Sequence, residues 1–133
     1  MDRDGSNGEG DPGGWWGNGA RTLLAGSAGA PDRRWVFVSG TSGFDAERRM
    51  MAGDVEEQAR QTLRNIRRTL RRSDADLSDV VRMRVYLADA ADFPRVQPVL
   101  AEEFRDRPPV GTTMVCPLAD PRVRIEIEVT ARC

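Results

Sequence analysis

Near its end the chain alternates strictly between apolar and polar side chains. Val123, Ile125, Ile127 and Val129 point one way; Arg124, Glu126, Glu128 and Thr130 point the other. A period of two is the pattern of a strand with one face in a core and one face outside it. No other segment constrains the architecture as much. Whatever packs on the apolar face must leave the charged face to solvent or to another subunit.

The rest of the chain supplies the cover. Val55, Ala59, Leu63, Ile66 and Leu70 recur at helical spacing and predict an amphipathic helix over 55–71. Asp54 stands at its N-cap and Glu57 at the capping-box position, while arginines crowd the last turn, where they suit the helix dipole. A second helix is predicted from a cap at Asp92 to Phe104, with Phe93, Val96, Leu100 and Phe104 inward. Pro98 lies inside it and removes a backbone bond, so an irregular turn or kink is expected. Strands are predicted over 21–25, 35–41, 80–87, 112–115 and 123–131, with turn-like sequence over 26–32 and a loop over 41–53. In the strand at 80–87, Val81, Met83, Val85 and Leu87 form the apolar face and Arg82, Arg84 and Tyr86 the polar one.

This order predicts an α+β fold, a mixed sheet with two helices packed on one face. The other face carries Arg82, Arg84, Tyr86, Arg124, Glu126 and Glu128 and has no helix left to cover it, which suits an oligomer surface. Residues 1–19 are glycine-rich and aperiodic and read as a flexible tail before a single domain over 20–133. Trp15 and Trp16 are the exception in that tail, able to pack onto the domain or to stand exposed.

Composition narrows the chemistry. With a net charge of -1 the chain has no global field to hold nucleic acid or an anionic membrane. No stretch is long and apolar enough to span a bilayer, and the acidic, glycine-rich start is unlike a signal peptide, so the expected location is the cytoplasm. The chain has no histidine, and all 20 basic residues are arginine. That removes a Schiff-base lysine, a lysine anchor for pyridoxal phosphate and the usual histidine base. Cys116 and Cys133 without histidine make a poor zinc site, and no disulfide framework is expected. Chemistry must rest on carboxylates, Tyr86, a thiol, hydroxyls, arginine, backbone amides and water.

From Trp35 onward the chain resembles the RidA family, also called YjgF/YER057c/UK114. The resemblance rests on VFVSG at 36–40, Gln58-Ala59-Arg60-Gln61-Thr62-Leu63 with Asn65-Ile66, the strand from Val81 to Tyr86, Asp92-Phe93 with Phe104, and Ile125-Glu126-Ile127-Glu128. Each piece is weak alone; together, in this order and at these spacings, they are specific. The resemblance implies a chorismate-mutase-like fold, a homotrimer whose uncovered sheet faces close a central barrel, and small-molecule clefts between subunits. It implies hydrolysis of reactive enamines and imines, such as 2-aminoacrylate, without a cofactor. Carried over residue by residue, the glutamate that positions or activates water falls on Glu126. The backbone of Ser39 and Gly40 would line the cleft, and Gln97 falls where the family has a polar side chain near it. The family's carboxylate-holding arginine falls on Gly111, and there the match fails. Thr112 and Thr113 follow, as in a branch of the family reading P-[AG]-T-T-M-V.

Each site residue has a plainer role open to it. Glu126 either acts as acid and base or forms a cross-strand ion pair with Arg82, Arg84 or Arg124. Gly111 either enlarges the cleft for a bigger or less acidic ligand or serves a tight turn after Pro108 and Pro109. Thr112 and Thr113 either bond a ligand or simply suit a strand, and Tyr86 either binds or packs. Arginines over 60–72 read as a solvated helix face rather than an RNA platform. Three functions stay open: an enzyme acting on a reactive imine, enamine or enol-type intermediate, a ligand-binding or protective protein, and a structural barrel.

Overall fold

The computed structural model describes residues 22–26 and 34–133. The glycine-rich tail with Trp15 and Trp16, and most of the turn expected over 26–32, lie outside them. In chain order the elements are β1 (Thr22–Gly26), β2 (Arg34–Ser42), β3 (Phe44–Asp45), β4 (Met50–Met51), α1 (Val55–Arg71), β5 (Val80–Leu87), α2 (Phe93–Glu103), β6 (Val110–Val115) and β7 (Ile125–Arg132). Five of the strands form one mixed sheet in the order β1-β2-β7-β5-β6. Only β5 and β6 run parallel, joined through α2, as a parallel pair requires a crossover. Among the described residues no helix is long and apolar enough to cross a membrane.

The alternation at 123–130 does what it predicts. Val123, Ile125, Ile127 and Val129 are at most 8% exposed, whereas Glu126, Glu128 and Thr130 are half-buried on the other face. Against the apolar face pack Val55, Ala59, Leu63, Ile66 and Leu70 of α1 and Val96 and Val99 of α2. Each fully buried aliphatic side chain contributes about 1.5–3 kcal/mol, so this layer is the main source of stability. Asp54 caps α1 by accepting the Glu57 N–H at 2.9 Å. The reciprocal capping-box bond forms elsewhere, in the one-turn helix before β5, where Asp76 N–H donates to Asp79 at 2.9 Å.

Four local expectations need correction. The segment expected as loop over 41–53 contains the short β3–β4 ribbon. In β5 a register irregularity between Val80 and Arg82 turns Val80 into the core and leaves Val81 exposed; beyond it the expected alternation resumes. In α2, Phe93 is 40% exposed and Val99 buried instead, because a single-turn helix over 90–92 rotates the entry. Asp92 precedes α2 without capping it. Its carboxylate is buried and turned to the Arg124 guanidinium, with Nη2 at 2.7 and 2.9 Å and Nε at 3.2 Å.

Candidate active site

Glu126 lies near the start of β7, opposite Tyr86 of β5 and Ser42 of β2. Beside it β2 loses its regular register between Val38 and Thr41, so Ser39 and Gly40 bulge past a single β7 position. Such bulges bend a strand and re-aim what lies next to them. A Cβ on Gly40 would stand 2.6 Å from Glu126 Oε1 and 3.0 Å from its carboxyl carbon, so a side chain there would displace the carboxylate. The Glu126 carboxylate therefore lies close against Gly40.

The two glutamates of β7 share a face but not an environment. Glu128 accepts from Arg84 Nη1 at 3.4 Å and from the Tyr86 hydroxyl at 3.3 Å, on the same oxygen. Arg124, the next cation along, is committed to Asp92. Among the described residues nothing pairs with Glu126. Burial raises its carboxyl above the usual carboxylate range, and the charge of Glu128 adds to the effect. Among the described residues no ion pair joins Glu126 to Arg82, Arg84 or Arg124; Arg84 is paired with Glu128 and Arg124 with Asp92.

Two polar residues of α1 hold the strands around this carboxylate. Buried Gln58 accepts the Arg124 N–H at 2.9 Å and donates to the Arg122 carbonyl at 3.0 Å, fixing the entry to β7. Asn65 donates to the carbonyls of Ser42 and Phe44 at 3.0 and 2.8 Å, fixing the end of β2 opposite Glu126. Sequence reasoning used both residues only as marks of family likeness. Their signal was a long polar amide inside an otherwise apolar helical stripe, where an unsatisfied group would be costly.

The remaining candidates fall into two groups. Pairing of β5 with β6 sets Thr112 beside Arg84 and Met114 beside Tyr86, on the face of Glu126. Gly111 and Thr113 pair with Met83 and Val85, on the helix-covered side. Gln97 lies on that side too, in α2, and lines a groove with Met83, Pro108 and Pro109. Within one chain, then, Ser39, Gly40, Tyr86, Thr112 and Glu126 are brought to one face and Gln97, Gly111 and Thr113 to the other.

Gly111 itself is tightly confined. A Cβ there would overlap the Met83 carbonyl oxygen and stand 2.7 Å from the carbonyl carbon. Close approach of the β5 backbone, rather than a turn, demands the glycine. The space vacated by a side chain is filled by protein, so the missing arginine leaves no added cavity at that point.

The model of the family described as Endoribonuclease L-PSP matches residues 27–133. A RutC family protein of Pyrococcus abyssi is 33% identical over 98 residues, covering 73% of this chain and 77% of the relative. A human protein named 2-iminobutanoate/2-iminopropanoate deaminase is 31% identical over 99 residues, covering 74% of this chain and 72% of the relative. The solved structure of a YjgF/YER057c/UK114 family member from Mycobacterium tuberculosis superposes with a TM-score of 0.70 at 30% identity, covering 84% of each chain.

Proposed function

The chain belongs to the endoribonuclease L-PSP family, which its relatives' names also call RutC and YjgF/YER057c/UK114, and from that premise we propose a cofactor-free enzyme acting on a reactive imine, enamine or enol-type intermediate. The observation that carries the proposal is Glu126: half-buried, unpaired among the described residues, raised in pKa, and seated on a bulged backbone. The names of relatives as imine deaminases support hydrolytic deamination as the nearest reaction.

In that reaction Glu126 takes a proton from water as the water oxygen bonds to the imine carbon. The C=N π electrons move to nitrogen, which gains a proton. The carbinolamine then collapses: Glu126 relays the hydroxyl proton to the amine nitrogen, the C–N bond breaks, and ammonia leaves as the carbonyl forms. For an enamine the protonated carboxyl first delivers its proton to carbon. A carboxyl raised by burial is the stronger base as an anion and keeps its proton to a higher pH as an acid, which suits both steps.

The assembly we infer is a homotrimer of chorismate-mutase-like subunits with clefts between them. Phe37, Val110 and Met114 are 40%, 71% and 43% exposed on the uncovered face and its edge strand, an apolar surface that association would cover. The two groups of candidate residues lie on opposite faces of one sheet, so a second copy is needed to close a cleft around both. Nucleic acid is not the substrate in this reading despite the family's description. Arg60, Arg67 and Arg71 of α1 pair with Glu102, Glu103 and Asp76, which neutralises part of its basic face.

The test is ammonia release from imines generated in solution by an amino-acid oxidase. Glu126→Gln is expected to lower kcat by about a hundredfold or more, the usual worth of a general acid-base group; unchanged turnover would sink the assignment. A second reading, binding or protection without turnover, is favoured by Gly111, which cannot hold a carboxylate as a guanidinium does. It predicts that no imine, small or large, is consumed above the buffer rate.

A further inference from the structure

The site at Gly111 lacks an anion-holding side chain, yet a cation stands close by. An open groove of about 770 Å³ runs between α2 and the approach to β6, with Met83, Gln97, Leu100, Phe104, Pro108 and Pro109 among its walls. Met83, one of those walls, is the residue whose backbone Gly111 packs against. Arg105 lines the same groove and is exposed. Three other arginines of this side are paired: Arg60 faces Glu102, Arg67 faces Glu103, and Arg95 faces Asp54 and Glu56. Among the described residues Arg105 has no carboxylate partner. Glu102 also lines the groove, but its carboxylate is drawn to Arg60 at 3.8 Å.

We propose that this groove takes an organic carboxylate with an apolar body, larger than the small 2-imino acids, and that Arg105 is its carboxylate anchor. The inference rests on the reading of Gln97 and Gly111 as one half of the substrate cleft. Charge and shape both support it. A planar guanidinium with no competing partner binds a carboxylate in a two-pronged, charge-assisted contact. The walls offer Leu100, Phe104 and two prolines to an apolar body and the Gln97 amide to a polar one, the balance found in pockets for small organic molecules. Arg105 follows α2 rather than lying on β6, and a groove of about 770 Å³ admits a body larger than a small 2-imino acid.

Calorimetric titration of the intact protein with phenylpyruvate, its methyl ester and pyruvate tests this. Phenylpyruvate is expected to bind about fivefold or more tighter than pyruvate because its ring covers apolar wall. Arg105→Gln should weaken phenylpyruvate about tenfold and leave the ester unchanged, while Arg72→Gln, an exposed arginine on the end of α1, should change neither. No binding of phenylpyruvate to the wild type overturns the proposal, as does an Arg105→Gln effect that is absent or equal for acid and ester. Turnover of Glu126→Gln is read separately. If it is unchanged the enzymatic reading fails, and the titrations still decide the anchor.

Discussion

β7 and β6 flank the same strand, β5, yet one lies half within the core and the other lies wholly outside it. Every odd residue of β7 from Ile125 to Ala131 is buried under the helices, and every residue of β6 is exposed. Both carry candidate site residues: Glu126 on β7, Gly111, Thr112 and Thr113 on β6. The difference separates what a single chain stabilises from what it only presents. β7 is held by its own packing, so the carboxylate it carries is fixed within one subunit. β6 is held by backbone pairing to β5, and its side chains are left exposed within one chain.

The largest expected effect probes β7. Ile127 is fully buried in the core, paired with Thr41 of β2 and Val85 of β5. Ile127→Ala should cost about 2–5 kcal/mol, from lost burial plus an unfilled cavity, read by urea unfolding at fixed protein concentration. A cost below about 1 kcal/mol would mean the core is not organised around β7. A smaller effect is expected on β6. Gly111→Ala forces a methyl against the Met83 carbonyl, so β6 must move away from β5. Overpacking of this kind costs about 1–3 kcal/mol. Since β6 buries no side chain, the loss should appear as faster amide exchange along β6 with the rest of the core still protected. If Gly111→Ala instead destabilises as much as Ile127→Ala, the contrast between the strands fails.

The same contrast explains what was legible in the sequence. Burial writes itself into periodicity, so α1 has the bounds its apolar spacing predicted and the faces of β7 are as read. Periodicity fails where a backbone irregularity resets the count. The irregularity at Val81 exchanges it with Val80, and the short helix before α2 turns Phe93 outward. It also fails where two partners compete for one side chain. Asp92 reads as a cap by position, but a bidentate contact with Arg124 holds its carboxylate instead. At the site, spacing and face nominate Glu126, yet they do not separate it from Glu128. That distinction comes from Arg84 and Tyr86 choosing Glu128. The role of Gly111 was also closed to sequence, since it depends on how near a non-adjacent carbonyl comes.

The finest test lies within β7, between Ile127 and its neighbour Glu126. Burial, and then the charge of Glu128, raise the Glu126 carboxyl above its ordinary value of 4.5. In the pH window from that value up to the folded-state value, the folded protein binds more protons than the unfolded chain. Stability therefore falls as pH rises through the window. Above it, the wild type carries a charged, poorly solvated carboxylate that Glu126→Gln lacks. The variant should accordingly melt slightly higher than the wild type at neutral pH, and the difference should vanish below the window, where Glu126 is protonated in both states. Thermal melts across pH at fixed protein concentration, which keeps any assembly term constant, supply the measurement. A variant that melts lower at neutral pH would mean that Glu126 makes a stabilising bond in the assembly, and would return it to the structural role that Glu128 already fills. A variant that melts higher while losing turnover would mark Glu126 as a residue held against stability, as acid-base groups commonly are.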